Sequence, residues 1–225
     1  MKLSLPLLLS VNGGYVDTAG FLALHGLFTT HVTGNFVTLG AALALGTSGA
    51  VAKLLALPMF CIVVIGTRLL SAALENTRVP AQRTVVGLEV LLLMVGAGLA
   101  IGLGPFDSGD GWAALLTGMM LVAAMAIQNA IHRIYMSAAP PTTIMTGSTT
   151  QIMIDLGDLL RGAAPQARPA IRARLSRMSE GVAAFATGCA AAALLYAKQG
   201  VWCFLIPPII GVWVLWLQEP VPAKN

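Results

Sequence analysis

TTHVTGNFVTLGAALALG, Thr29–Gly46, and TTIMTGSTTQIMIDLGDLL, Thr142–Leu160, decide how this chain folds. Each opens with two threonines. Two residues later comes Thr-Gly followed by Asn or Ser, and a Leu-Gly pair lies further on. The pairs Thr33-Gly34 and Thr146-Gly147 are 113 residues apart, half of the 225-residue chain. A polar residue precedes each at a similar distance: Asp17 lies 16 residues before Thr33, and Asn129 lies 17 before Thr146. Such internal symmetry marks two related halves. We divide the chain into residues 1–104 and 105–225, each reading helix, TG segment, helix, helix, within one membrane domain.

The surrounding residues require lipid. The chain is 57% hydrophobic and only 10% charged, with a mean hydropathy of +0.83. A soluble domain carries about 25% charged residues to cover its wet surface. A bilayer core about 30 Å thick needs roughly 20 apolar residues per helix. Six stretches qualify: Ser4–Phe28, Val51–Leu74, Val85–Leu103, Trp112–Ile131, Met178–Ala197 and Val201–Leu217. Asn12-Gly13-Gly14 should break or kink the first. Lys2 with Leu3–Leu9 resembles the start of a signal peptide, but no A-x-A-like site follows, so it reads as a retained helix. The TG segments are too short or too polar to cross. They are expected as re-entrant half-helices over residues 32–47 and 145–160.

Charge sets the orientation. With six crossings, Lys2, Arg78, Arg83, Arg133, Arg161, Arg168, Arg172, Arg174, Arg177 and Lys224 share one side, while Lys53 and Lys198 lie on the other. That ten-to-two split places both termini in the cytoplasm. Three crossings per half is an odd number, so the second half is upside down relative to the first. The predicted class is an all-α integral membrane protein of two inverted three-helix repeats, each with a TG half-helix. Inverted repeats with broken helices near the midplane characterise many secondary transporters.

Polar residues in apolar surroundings nominate a site. A carboxylate at the centre of a spanning helix costs about 2.5–3.5 kcal/mol on insertion scales, so Asp17 calls for a partner or a ligand. Thr33 and Thr146 could cap helices starting at Gly34 and Gly147, leaving free N–H groups and a positive dipole end facing the interior. Asn35 and Ser148 add polar side chains, and Gln128 and Asn129 sit opposite in the fourth stretch. The expected ligand-binding set is therefore Asp17, Thr33, Gly34, Asn35, Gln128, Asn129, Thr146, Gly147 and Ser148. Gln151 and Asp155, four apart on one helix face, could join it, although Asp155 and Asp158 are expected to reach cytoplasmic water. Arg68 is expected to snorkel, and Glu89 to be interfacial. The four arginines from Arg168 to Arg177 suit a cytoplasmic helix lying on anionic lipid.

Other chemistries lack residues. No Walker motif is present, and His25, His31 and His132 form no HxxxH or HExxH pattern. Cys61, Cys189 and Cys203 show no CxxC spacing and read as core residues. No basic patch interleaved with aromatics points to nucleic acid. We expect no cofactor, no metal and no catalytic residues. The small-residue faces Gly98-x-x-x-Gly102 and Ala184-x-x-x-Gly188 suit helix packing, and leave room for a homodimer.

GYVDTAGFLALHGLFTTHVTGNFVTLG, Gly14–Gly40, resembles the signature of the YoaK-like family of bacterial inner-membrane proteins of unknown function. Gln128-Asn129-Ala130 and Thr143–Gly157 resemble its second block, with Ser148 standing where the first block has Asn35. The resemblance covers nearly the whole chain and implies a multi-pass protein of the bacterial inner membrane. The residues point to a secondary transporter or permease for a small polar or anionic solute, with lipid as its other partner. A non-transporting sensor or assembly module, or an intramembrane enzyme using Asp17 and a histidine, are the alternatives.

Overall fold

The computed structural model describes residues 4–75, 77–143 and 145–218. Lys2 and Lys224, which entered the charge count, lie outside them. Eight α-helices follow in order: α1 Leu5–Ala23, α2 Gly34–Leu45, α3 Ala50–Leu74, α4 Ala81–Leu103, α5 Trp112–Tyr135, α6 Met145–Leu160, α7 Arg168–Gln199 and α8 Ile206–Leu217. A 3₁₀ turn, Gly200–Leu205, joins α7 to α8. No strand occurs among the described residues. Among the described residues, four helical runs are long and apolar enough to cross a membrane: α3, α4, α5 and the joined run Arg168–Leu217.

α1 is the interior helix. Most of its residues from Leu7 to Ala23 are buried, including Ser10, Asn12 and Asp17, while Phe21 and Leu22 are exposed. A helix wrapped by other helices does not need a lipid-compatible surface, which is why its hydropathy is diluted. Against expectation, α1 runs unbroken through Asn12-Gly13-Gly14, and it ends at Ala23, not near Phe28. His25 and Gly26 take left-handed backbone angles (φ 54° and 82°), and the Gly26 N–H closes on the Phe21 carbonyl at 2.9 Å. This is the usual way a helix is stopped.

The glycines serve packing instead of bending. α1 makes its most extensive contact with α7. A Cβ on Gly14 would overlap the Phe185 carbonyl oxygen, and one on Gly188 would overlap the Val11 carbonyl oxygen. The two backbones can approach this closely only because both positions lack a side chain. Gly98 and Gly102, by contrast, face open space.

Helix contacts pair across the halves. α1 lies on α7 as α5 lies on α3, and α2 lies on α3 as α6 lies on α7. α4 packs on α5, while α8 and the 3₁₀ turn pack on α1. α2 and α6 touch only those single partners and leave most of their apolar surface bare, with Val37 76% and Leu160 80% exposed. At about 1.5 Å per residue, 12 and 16 residues reach roughly 18 and 24 Å, short of the bilayer core. α7 has 32 residues, or about 48 Å, so the expected separate arginine-bearing helix is the first part of one long rod.

One end of the bundle is closed by a knot of polar contacts. The Asp110 carboxylate accepts the N–H groups of Gly49 and Val51 at 2.7 and 2.8 Å, capping the start of α3. Burial pushes the Asp110 carboxyl up, but the amides of Gly49, Val51, Ala52 and Ala50 more than offset this, leaving it below its ordinary value of 3.8. His25 bridges the Phe106 carbonyl and the Ser48 hydroxyl, and Lys53 Nζ donates to the His25 carbonyl at 2.8 Å.

Candidate functional site

Asp17 governs the loop between α1 and α2. Its Oδ1 accepts the backbone N–H groups of Thr29 at 2.9 Å, Thr30 at 2.7 Å and His31 at 3.3 Å. A carboxylate oxygen that collects three amides acts as a loop cap. Thr30 then donates its hydroxyl to the Gly13 carbonyl at 3.2 Å. Asn35 completes the loop: its Nδ2 donates to the Phe28 carbonyl at 2.8 Å, and its Oδ1 accepts the Phe28 N–H at 2.9 Å.

The second TG segment also begins with a threonine contact, with different chemistry. Thr143 stands 113 residues after Thr30, and its hydroxyl donates to Asn129 Oδ1 at 2.6 Å. Asn129 is half-buried and also donates to the Met125 carbonyl at 2.9 Å. The position matching Phe28 is Pro141, which has no N–H to give, and the position matching Asn35 is Ser148. The two-bond clamp of Asn35 on Phe28 therefore has no counterpart at these positions. Ser148 Oγ is buried with no partner among the described residues.

Both threonine loops converge on α1. A Cβ on Gly13 would stand 3.2 Å from Gln128 Nε2, 3.3 Å from the Thr142 carbonyl oxygen and 3.4 Å from the Thr143 methyl. Gln128, fully buried, donates to the Leu9 carbonyl at 3.0 Å and receives Asn12 Nδ2 at 3.4 Å. Beside this junction lies a cavity of about 380 Å³, lined by α1 (Asp17, Thr18), the first loop (Phe28, His31), the second TG segment (Thr143, Thr146) and Cys189 of α7.

Of the nine expected site residues, Asp17 and Thr146 line this cavity. Asn129 reaches it through Thr143. Asn35 and Gln128 commit their side chains to backbone groups. Gly34 packs on the Phe28 ring, whereas Gly147 faces open space and Thr33 is exposed. Neither expected cap forms as anticipated. Thr33 precedes α2 without a side-chain bond, and Thr146 lies inside α6. The first amides of α2, at Gly34, Asn35 and Phe36, are bonded to the His31, Val32 and Thr33 carbonyls, so no bare helix end faces a ligand there. The missed positions are Gly13, Thr18, Thr143 and Cys189. The duplicated Thr-Thr pair was the available signal for Thr143, and no sequence pattern marks Cys189.

The other charged groups of the helices are placed as follows. Glu89 is 1% exposed, enclosed within the bundle. Asp155 is wholly buried and held by Arg174 through two bonds of 2.9 and 2.6 Å, with Gln151 adding a third at 2.8 Å. Arg68 is exposed and pairs with exposed Glu75 at 3.1 Å. Among the described residues no group of three His, Cys, Asp or Glu is placed to hold a metal ion.

The model of the family described as protein of unknown function (DUF1275) matches Leu5–Leu217. The chain belongs to this family. It is also 32% identical over 162 residues to the UPF0700 transmembrane protein YoaK of Bacillus subtilis (strain 168), a match covering 68% of this chain and 66% of that protein. No solved structure matches it. The family match spans both threonine loops and the cavity between them, and it makes this chain a YoaK-like transmembrane protein.

Proposed function

We propose that this family member is a secondary transporter or permease for a small polar or anionic solute, working in the bacterial inner membrane. One observation carries the reading: the duplicated threonine loops of the two halves meet on Gly13, beside a cavity that both of them line. A junction of two related halves is where alternating-access proteins bind their solute. The contact pattern supports inverted halves, since exchanging α1–α4 for α5–α8 maps most contacting pairs onto contacting pairs. α1 and the run from Gly200 to Leu217, each roughly 30 Å long, supply the fifth and sixth crossings, with both termini cytoplasmic. Hydroxyls of Thr18, Thr143 and Thr146, with Asp17 and His31, offer donors and acceptors to a solute with several polar atoms. Because the α2 amides are already bonded, an anion would have to rely on these side chains.

Cys189 provides the test. It lines the cavity and is half-buried, Cys203 is buried, and Cys61 is exposed and replaceable by Ser. The purified Cys61→Ser protein is screened by thermal shift against ions and metabolites. Each stabilising compound is then tested for protection of Cys189 against a small methanethiosulfonate, and for flux in proteoliposomes. Protection together with flux is expected. Stabilising compounds that leave Cys189 labelling unchanged would remove the cavity from the proposal. Protection without flux would turn the reading to a sensor.

A further inference from the structure

α4 buries a carboxyl group that the cavity does not use. Glu89 is 1% exposed, and neither of its oxygens has a hydrogen-bond partner among the described residues. No cation is paired with it there either, since the ion pairs involve Glu75, Asp155 and Asp158. An ionised carboxylate in such surroundings would cost many kcal/mol and takes up a proton instead.

Its surroundings are distinctive. Val85, Val86 and Val90, which flank it on α4, belong to an apolar cluster on which Leu70, Tyr135 and Leu217 pack. Buried polar atoms are nearly always bonded, so a carboxyl group with both oxygens unpartnered among the described residues is unusual. No charge intrudes on it. From α3, Arg68 is turned outward to Glu75; from α5, His132 is bonded to the Ala139 carbonyl and Arg133 is exposed. α8 has no titratable residue, and the 3₁₀ turn brings only Cys203.

We infer that Glu89 is a proton-binding site, neutral in this conformation, whose carboxyl is enclosed by the apolar packing of α4 against its neighbours. On release the O–H bond breaks, the electron pair stays on the carboxylate oxygen and the proton passes to water. The site is separate from the solute cavity, and its test is independent of any solute.

A hydrophobic carbodiimide is the probe, because it needs the proton of a carboxylic acid in apolar surroundings to form a stable N-acylurea. The intact protein in lipid nanodiscs is treated across a pH series, and adducts are mapped by mass spectrometry. Glu89 is expected to be labelled at neutral pH, with labelling falling as pH rises. Glu89→Gln is expected to remain folded, to lack the adduct and to lose a protonated-carboxyl infrared band. Absence of both adduct and infrared band at neutral pH overturns the proposal.

Discussion

Thr30 gives its backbone N–H to Asp17 at 2.7 Å and its hydroxyl to the Gly13 carbonyl at 3.2 Å, so one residue ties the first threonine loop to α1 at two heights. The loop is then held to α1 by the Asp17 carboxylate and by its own Thr30 hydroxyl. Each buried N–H left unpaired costs about 1–3 kcal/mol. Asp17→Ala should therefore lower stability by on the order of 3 kcal/mol or more, because three amides lose their acceptor. Asp17→Asn keeps one acceptor oxygen and should cost about 1 kcal/mol while weakening solute protection of Cys189. Denaturant titration in micelles measures both. Equal stability of the parent and Asp17→Ala would show that the amides find other partners.

The α1–α7 crossing gives a sharper contrast. Gly14→Ala and Gly188→Ala should each cost at least the 1–3 kcal/mol typical of overpacking, since the obstacle is backbone. Gly98→Ala has open space around it and should be neutral or stabilising by up to about 1 kcal/mol. Thermal melts of the three variants decide; similar melting of Gly188→Ala and Gly98→Ala would mean the helices are further apart than described.

Asp110 should make the loop cap acid-sensitive. Its carboxyl lies below its ordinary value in the folded protein, so its stabilising effect is complete above that value. It is lost as pH falls through the folded value, with the change beginning near pH 4 and lying below it. Asp110→Asn should be less stable than the parent by about 0.5–2 kcal/mol at neutral pH, as for other helix caps. The two proteins should converge in acid. A pH-independent difference would exclude the carboxylate as the cause.

Asp155 is the buried partner in an ion pair whose arginine is 44% exposed. Removing Arg174 strands the carboxylate, while removing both partners does not. Arg174→Ala should cost about 1.5–3 kcal/mol, the worth of hydrogen bonds to charged groups. Asp155→Asn in the Arg174→Ala background should recover part of the loss. A double-mutant cycle measures the coupling, and additive losses would mean that α6 is held to α7 by apolar contacts alone.

Composition was enough to read helices and lipid, because insertion in a bilayer is written in local residue patterns; the duplicated TG segments carry the proposal of two related halves. Glycine was misread for the opposite reason. In isolation Asn12-Gly13-Gly14 looks like a helix breaker, yet its role depends on a helix more than 170 residues away bringing Gly188 against Val11. The same holds for Glu89, which looks shallow by its place in α4 but is enclosed once α3, α5 and α8 pack around it. Thr33-Gly34 drew attention as a repeated motif, whereas the Thr-Thr pairs just upstream carry the loop bonds to Asp17, Gly13 and Asn129, and Gln128 makes the bonds across to Leu9 and Asn12. Sequence by itself determined the helical membrane class, since hydrophobicity acts residue by residue. Only the tertiary structure decided which polar groups hold the fold and which line the cavity, because hydrogen bonds form between whichever donors and acceptors the packing brings within about 3 Å.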